Sequence, residues 1–259
     1  MTQASGSPLR VESRLGEAIA LFRLDRPKGN VIDAAMTKAL TDAFTQAHTT
    51  RALKAIVLTA TGPNFSFGAS VQEHLPEHVA GMLRDFHGLF RAIAACEVPV
   101  LAAVRGHCLG GGLELVSFCH RVFAANDARL GQPEITLGVF APVASLLLPH
   151  RIGRAHAEDL SLSGRTIGAE EALRMGLVDE LADDPEARAM AWAETHLCKQ
   201  SASSLRYAVC ALRGAFVQTF FEQLDELERL YVKDLMATAD ANEGIQAFLQ
   251  KRAPQWSNA

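Results

Sequence analysis

The sequence predicts an α/β fold, on three observations. A strand candidate, a helical stretch and a second strand follow one another near the start of the chain. An apolar run, Val98 to Val104, stops at Gly106 and passes through Gly110, Gly111 and Gly112 into Leu113-Glu114-Leu115-Val116, which reads as a buried strand, a tight loop and a helix start. The last part of the chain keeps three- and four-residue apolar spacing, so a helical C-terminal region closes the fold.

Taken in order, Leu9 to Ser13 and Ala18 to Leu24 are short strand candidates, and Asp25-Arg26-Pro27-Lys28-Gly29-Asn30 breaks the pattern as a loop with a basic residue. Asp33 to Thr49 reads as a helix, with Asp33 as its cap and Met36, Leu40, Phe44 and Ala47 on one face. Ala55 to Thr59 is a buried strand, so strand, helix and strand predict a right-handed parallel crossover. Val79 to Ala95 is a helix presenting Met82, Phe86, Leu89, Phe90 and Ile93, and Arg121 to Ala125 is a further strand. Pro142 to His150 is a shorter apolar helix, and Ala169 to Met175 is another, stopped by Gly176. Pro185 to Lys199 and Ser203 to Met236 are helical, and a cap at Asp240 opens a last helix to about Arg252. The domain reading is a core over residues 1–195 and a helical region over 196–259.

A chain of 259 residues with 49% hydrophobic residues and a mean hydropathy of +0.08 can bury a large core. A net charge of −4 and a pI near 6.1 give no reason to expect a nucleic acid or an anionic membrane as partner. The longest apolar stretch, Val139 to Pro149, is too short to span a bilayer. Residues 1–9 lack the regions of a signal peptide and read as a loose tail. Five cysteines, Cys96, Cys108, Cys119, Cys198 and Cys210, contain no Cys-x-x-Cys pair. They read as reduced thiols in a cytoplasmic protein, with neither a disulfide framework nor a metal site. Cys108 and Cys119 read as small buried hydrophobes.

The chemistry-bearing stretch lies between Val98 and Gly138. Glycines let the backbone approach a ligand, and the N–H groups of a helix's first turn lack intrahelical partners, so they can meet a negative oxygen. Glu114 falls in that first turn and Glu134 follows in Gln132-Pro133-Glu134. Two carboxylates in one apolar cleft suit general acid and base work, because burial and mutual repulsion push their pKa values apart. The residues alone also allow a blander reading: a flexible glycine turn, a Glu that favours the helix dipole, and an ordinary Gln-Pro-Glu turn. His74, His107 and His120 lie near this stretch, and no His-x-x-x-His pair suggests a metal, so they read as structural or pocket-lining.

By Gly68-Ala69, Gly110-Gly111-Gly112-Leu113-Glu114 and Gln132-Pro133-Glu134, the sequence resembles the crotonase (enoyl-CoA hydratase/isomerase) superfamily. Arg26-Pro27-Lys28, Phe65 to Ala69, Pro99 to Gly112, Leu130 to Gly138, Leu162 to Arg165, Ala172 to Val178 and Phe248 to Arg252 also match its motifs in order, covering essentially the whole chain. The resemblance implies a spiral of ββα units with a helical C-terminal trimerisation region, assembled as a homotrimer or a dimer of trimers. It implies an acyl-CoA thioester as substrate, no cofactor beyond that CoA, and a thioester oxygen held by the backbone N–H groups of Ala69 and Gly111. It puts the two hydratase carboxylates on Glu114 and Glu134. It puts Lys28, Phe67, Gly68, Ser70, Val71, Gly110, Phe140, Pro142 and Lys251 along the substrate or its CoA, Lys251 in its own or a neighbouring subunit. As exposed lysines, Lys28 and Lys251 also suit plain solvation.

Within the family, the segments Lys28 to Met36, Phe65 to Pro76 and Gly138 to Pro142 look like the members that hydrate a cyclic dienoyl-CoA in anaerobic aromatic degradation. Ordinary enoyl-CoA hydratases usually carry an acid at the position of Ser70 and a glycine-rich turn where this chain has Ala141-Pro142-Val143-Ala144-Ser145. A stiffer apolar wall of Phe140, Pro142 and Val143 suits a compact ring, although the same changes also read as neutral packing. The implied reaction is a 1,4-hydration: water enters at the ring carbon beta to the thioester and a proton at the far end of the diene, with Glu134 expected to deliver it. An ordinary short-chain enoyl-CoA hydratase or isomerase is the alternative, and a non-catalytic CoA- or RNA-binding member is a third, the RNA form disfavoured by the acidic pI.

Overall fold

The computed structural model describes residues 6–259. The chain runs β1 (Leu9–Arg14), β2 (Ile19–Leu24), α1 (Ala34–Thr49), β3 (Ala55–Ala60), α2 (Val79–Cys96), β4 (Val100–Val104), β5 (His107–Leu109), α3 (Gly111–Ser117), β6 (Arg121–Ala124), β7 (Arg129–Gly131), α4 (Pro142–Ile152), α5 (Arg154–Ser163), β8 (Thr166–Gly168), α6 (Ala169–Met175), β9 (Glu180–Leu181), α7 (Pro185–His196), α8 (Ala202–Arg229) and α9 (Ala239–Leu249). Of the segment expected to be a loose tail, residues 1–5 lie outside the described residues, while Leu9 is buried and opens β1.

Six strands form one sheet in the order β1-β2-β3-β4-β6-β9, antiparallel between β1 and β2 and parallel beyond. The strand, helix and strand over β2, α1 and β3 thus give the expected parallel pairing. Every residue of β3 and β4 is buried, because both faces of this sheet are covered. Alternation decides which face each side chain joins. Ile56, Leu58, Val100, Ala102 and Val104 enter the main core with Phe44 of α1 and Phe90 of α2. Ala55, Val57, Leu101 and Ala103 meet Ala189 and Ala193 of α7 on the other side. A second, three-stranded sheet, β5-β7-β8, carries the loops that become the site.

Asp33 caps α1 as expected, its Oδ1 accepting from the Met36 N–H at 3.0 Å. Gly176 ends α6 with a φ of +82°. Other expectations are corrected. The helix expected over Ser203 to Met236 ends at Arg229, passes through a π-helical turn, Leu230–Asp234, and then one 3₁₀ turn, Leu235–Ala237. The last helix is capped by Thr238 rather than Asp240, whose carboxylate instead accepts from the N–H groups of Ser257 and Asn258. Helix α7 stops at His196, three residues short of the expected end. Helix α5 and strands β5, β7, β8 and β9 were not expected from the sequence, being too short or too weakly periodic to stand out. No described helix is long and apolar enough to cross a membrane.

Candidate active site

The site begins where the loop after β3 lies down beside β5. The Phe65 N–H donates to the Arg105 carbonyl, Ser66 N–H to His107 and Leu109 N–H to Ser66, so residues 65–69 run parallel to 105–111. The Asn64 Oδ1 fastens the start of this pairing by accepting from the His107 N–H at 3.0 Å. Ser66 fastens the middle, its Oγ accepting from the Gly68 N–H at 3.0 Å and donating to the Asn30 carbonyl at 2.8 Å. Ala69 arrives next to Gly111 as a result. A Cβ built on Gly111 would stand 3.1 Å from the Ala69 nitrogen, and one on Gly68 would stand 3.3 Å from the Gly111 nitrogen. Gly68 also has a φ of +93°, so only glycine suits this approach.

Among the described residues, neither the Ala69 nor the Gly111 N–H donates a hydrogen bond. Ala69 does pair with Ile32, but through its neighbours: Ile32 N–H donates to the Gly68 carbonyl, and Ser70 N–H donates to the Ile32 carbonyl. The Ala69 amide therefore faces away from that pairing. Gly111 opens α3, where the first-turn amides have no intrahelical acceptor. Two adjacent free donors are the arrangement that stabilises a developing oxyanion.

Glu114 stands one turn into α3, buried to 4% exposure. Its Oε1 accepts from the Ala144 N–H at 2.9 Å, so this carboxyl caps the start of α4, where Ala141 offers no side-chain cap. Burial pushes the Glu114 pKa up, and the hydrogen bonds from the amides of Ala144 and Val143 pull partly the other way. Glu134 sits in the 3₁₀ turn Pro133–Leu137 that follows β7, held alongside the glycine loop because the Gly110 N–H donates to the Gly131 carbonyl at 3.0 Å. Burial raises its pKa and the nearby Glu114 raises it further, while its Oε2 has no hydrogen-bond partner. A side chain on Gly110 would collide with the Glu134 carboxyl. The two acids are thus unlike: one is anchored by the amides of α4, the other has only its own backbone amide and holds its proton more firmly.

Both carboxyls line one cavity of about 70 Å³. Phe67, Gly68, Ala69, Gly110, Phe140 and Pro142 line it too. Phe67 keeps 46% of its surface exposed and stacks on His107, with ring centroids 5.1 Å apart. Ser70 and Val71 do not line the cavity; Ser70 acts through its carbonyl, which lies 2.8 Å from the His74 Nδ1, and Val71 packs behind with Tyr231. Lys28 and Lys251 are exposed and outside the cavity, Lys28 on the loop whose Gly29 carbonyl accepts from the Phe67 N–H. His74 reaches the cavity wall, and burial pushes its pKa down, so it stands neutral there. His120 is structural: its Nδ1 accepts from the Val100 N–H at 2.9 Å, and burial drives its pKa to about 3. Cys108 and Cys119 are buried. Sequence reasoning missed Met82, Leu83 and Phe86 as cavity residues, although Met82 and Phe86 stood on the predicted apolar face of α2, and it missed Tyr231 altogether. No described group of three or more His, Cys, Asp or Glu side chains is placed to hold a metal ion.

The chain is 51% identical, over the full length of both chains, to cyclohexa-1,5-dienecarbonyl-CoA hydratase of Thauera aromatica. It is 32% identical to 2,3-dehydroadipyl-CoA hydratase of Escherichia coli, covering 93% of this chain and 95% of that one. Its fold superposes on a crystal structure of an enoyl-CoA hydratase/isomerase from Pseudoalteromonas atlantica with a TM-score of 0.85 and 29% identity, over 96% of this chain and all of the other. Residues 14–259 match the enoyl-CoA hydratase/isomerase family. With the paired amides and the two buried carboxyls already in place, the chain belongs to that family.

Proposed function

We propose that this protein is a hydro-lyase that adds water to cyclohexa-1,5-diene-1-carbonyl-CoA, giving 6-hydroxycyclohex-1-ene-1-carbonyl-CoA, in anaerobic degradation of aromatic compounds. The full-length 51% identity to a hydratase of that name supports the substrate. The observation that carries the chemistry is the pair of unlike buried carboxyls in one cavity with the free amides of Ala69 and Gly111 beside them.

In this reading the Ala69 and Gly111 amides take the thioester oxygen. Glu114, oriented by the Ala144 amide, is the base that removes a proton from water as its oxygen bonds to the ring carbon beta to the thioester. The electron pair moves to the thioester oxygen, where two amide donors oppose the charge, each worth ~10²- to 10³-fold in rate. Glu134, whose carboxyl has one oxygen without a partner and keeps its proton more firmly, is the acid of the pair. No cofactor beyond the substrate's own CoA is required by these steps, and we assign none. Phe67 and Pro142 border the ring, and Lys28 lies on the side where the CoA leaves the cavity.

The core over residues 1–195 would hold the chemistry, with 196–259 closing the cavity and carrying self-association in the cytoplasm. Tyr207 and Leu212 on α8, exposed to 77% and 83%, support a trimer or paired trimers, which equilibrium sedimentation of the purified chain measures. The test of function compares cyclohexa-1,5-diene-1-carbonyl-CoA with crotonyl-CoA as substrates for the wild type and Glu114→Gln. The expected result is a clear kcat/KM preference for the ring and a loss of ~10²- to 10⁴-fold in the variant. Crotonyl-CoA as the better substrate, or a fully active variant, would overturn the reading.

A further inference from the structure

Tyr231 joins Glu114, Glu134 and His74 as a polar side chain of the acyl cavity, and nothing among the described residues binds its hydroxyl. Its side chain is only 1% exposed, yet its hydroxyl has no hydrogen-bond partner among the described residues. A buried hydroxyl without a partner is costly and uncommon, and such orphans recur where a ligand supplies the missing bond. The ring lines the same cavity as Glu114 and Glu134 and packs on Phe140, with centroids 5.3 Å apart. Both carboxyls lie near enough to raise the phenol's pKa beyond what burial does, so it stays protonated. Tyr231 also belongs to the π-helical turn Leu230–Asp234 that interrupts the end of α8. Single π turns cost helical hydrogen bonding and cluster at functional sites. This one carries the residue on the cavity wall, clamped from the preceding turn by Glu228, whose Oε2 pairs with the Nδ1 of buried His87 on α2 at 2.6 Å.

We propose that the Tyr231 hydroxyl is the proton donor to the far end of the diene, the carbon gamma to the thioester. This rests on the hydration reading above. It replaces Glu134 in that one step and leaves Glu134 as the acid that holds water and restores the phenol. A 1,4-addition needs its base and its proton donor at opposite ends of the ring; neutral His74 spends its ring N–H on the Ser70 carbonyl, so the phenol is the proton donor this cavity offers beside the two carboxyls.

The step balances without any outside reagent. Water's oxygen bonds to the beta carbon, its proton goes to the Glu114 carboxylate, and the electron pair passes through the dienolate held at Ala69 and Gly111. The dienolate then takes the Tyr231 proton at the gamma carbon as the double bond settles between the alpha carbon and its other ring neighbour. Glu134 gives its proton to the phenolate and regains one from Glu114. The sum is one water added to the diene and every side chain returned to its starting form.

The test is Tyr231→Phe, which keeps the ring against Phe140 and removes only the unpartnered hydroxyl. Product is analysed in D₂O for the position of the new C–D bond. The expected result is a fall of ~10²-fold or more in kcat for the gamma-protonated adduct with KM within about threefold, as loss of a placed proton donor predicts. The residual turnover shifts toward the adduct with deuterium on the carbon alpha to the thioester. A variant that makes the gamma adduct at near the wild-type rate would overturn the proposal, as would equal slowing with an unchanged product ratio. Should Tyr231→Phe fold poorly, 3,5-difluorotyrosine at this position keeps the hydroxyl and lowers its pKa; an altered pH dependence of gamma protonation supports the role, and an unaltered one refutes it. If the wild type itself makes no gamma adduct, it is the substrate reading that fails.

Discussion

At the scale of single residues, the two acids of the cavity differ because identical side chains are held in different surroundings. Backbone amides at the start of α4 support the Glu114 carboxylate, whereas Glu134 has burial and a like-charged neighbour against it and only its own backbone amide in its favour. Both hold their protons more tightly folded than unfolded, so the stability they contribute is fully present below the ordinary value of 4.5 and is lost as the pH climbs through their raised values. Glu134→Gln removes the larger part of that loss. Its melting temperature is therefore expected to match the wild type near pH 4 and exceed it by a few degrees near pH 9. Thermal unfolding of both proteins across that range measures it, and a constant difference would refute the assignment. On the proposed reading the same substitution lowers activity while it raises stability, the usual trade at a site that keeps a destabilised group.

Glu114 and Glu134 were legible in the sequence because glycine spacing, a first-turn acid and a Pro-Glu turn are local signals. Tyr231 was not. Its place depends on α8 folding back across α2 and on a π turn whose residues keep the same apolar spacing as an ordinary helix. The choice of Thr238 over Asp240 as a cap was equally hidden, since both residue types cap well and the partners that claim Asp240 lie 17 and 18 positions away.

At the scale of elements, the cavity is a joint between several pieces, with α2, the turn that carries Glu134 and the start of α4 among its walls. The loop after β3 brings Ala69, β5 and α3 bring Gly111 and Glu114, and the C-terminal helices bring Tyr231. Parallel pairing of the buried strands was readable from their continuous apolar runs, but the small β5-β7-β8 sheet was not, because three-residue strands carry no period. The joint between α2 and α8 is fastened by the His87 to Glu228 pair, and burial of His87 makes it dependent on that partner. Glu228→Ala leaves the imidazole nitrogen unsatisfied and should destabilise the protein by about 1–3 kcal/mol. Urea unfolding reads this as a lower midpoint at an unchanged slope. An unmoved midpoint would mean that the pair does not hold α8 in place.

At the scale of the whole molecule, one core runs from the sheet into the C-terminal region. Phe220 and Leu224 of α8 join the same apolar cluster as Phe44, Phe90 and Val104, while Tyr231, Met236 and Ile245 pack with Val79, Leu83 and Val139. The helical tail therefore completes the cavity as well as presenting apolar side chains outward. The account as a whole requires that the acyl group enter between the two free amides and the two acids. A crystal structure with a non-reactive cyclic acyl-CoA bound measures this most directly. The predicted result is a thioester oxygen ~2.7–3.1 Å from both the Ala69 and Gly111 nitrogens, with the ring between Glu114, Glu134 and Tyr231. A thioester oxygen turned away from those amides, or a ring seated outside the reach of both carboxyls, would contradict it.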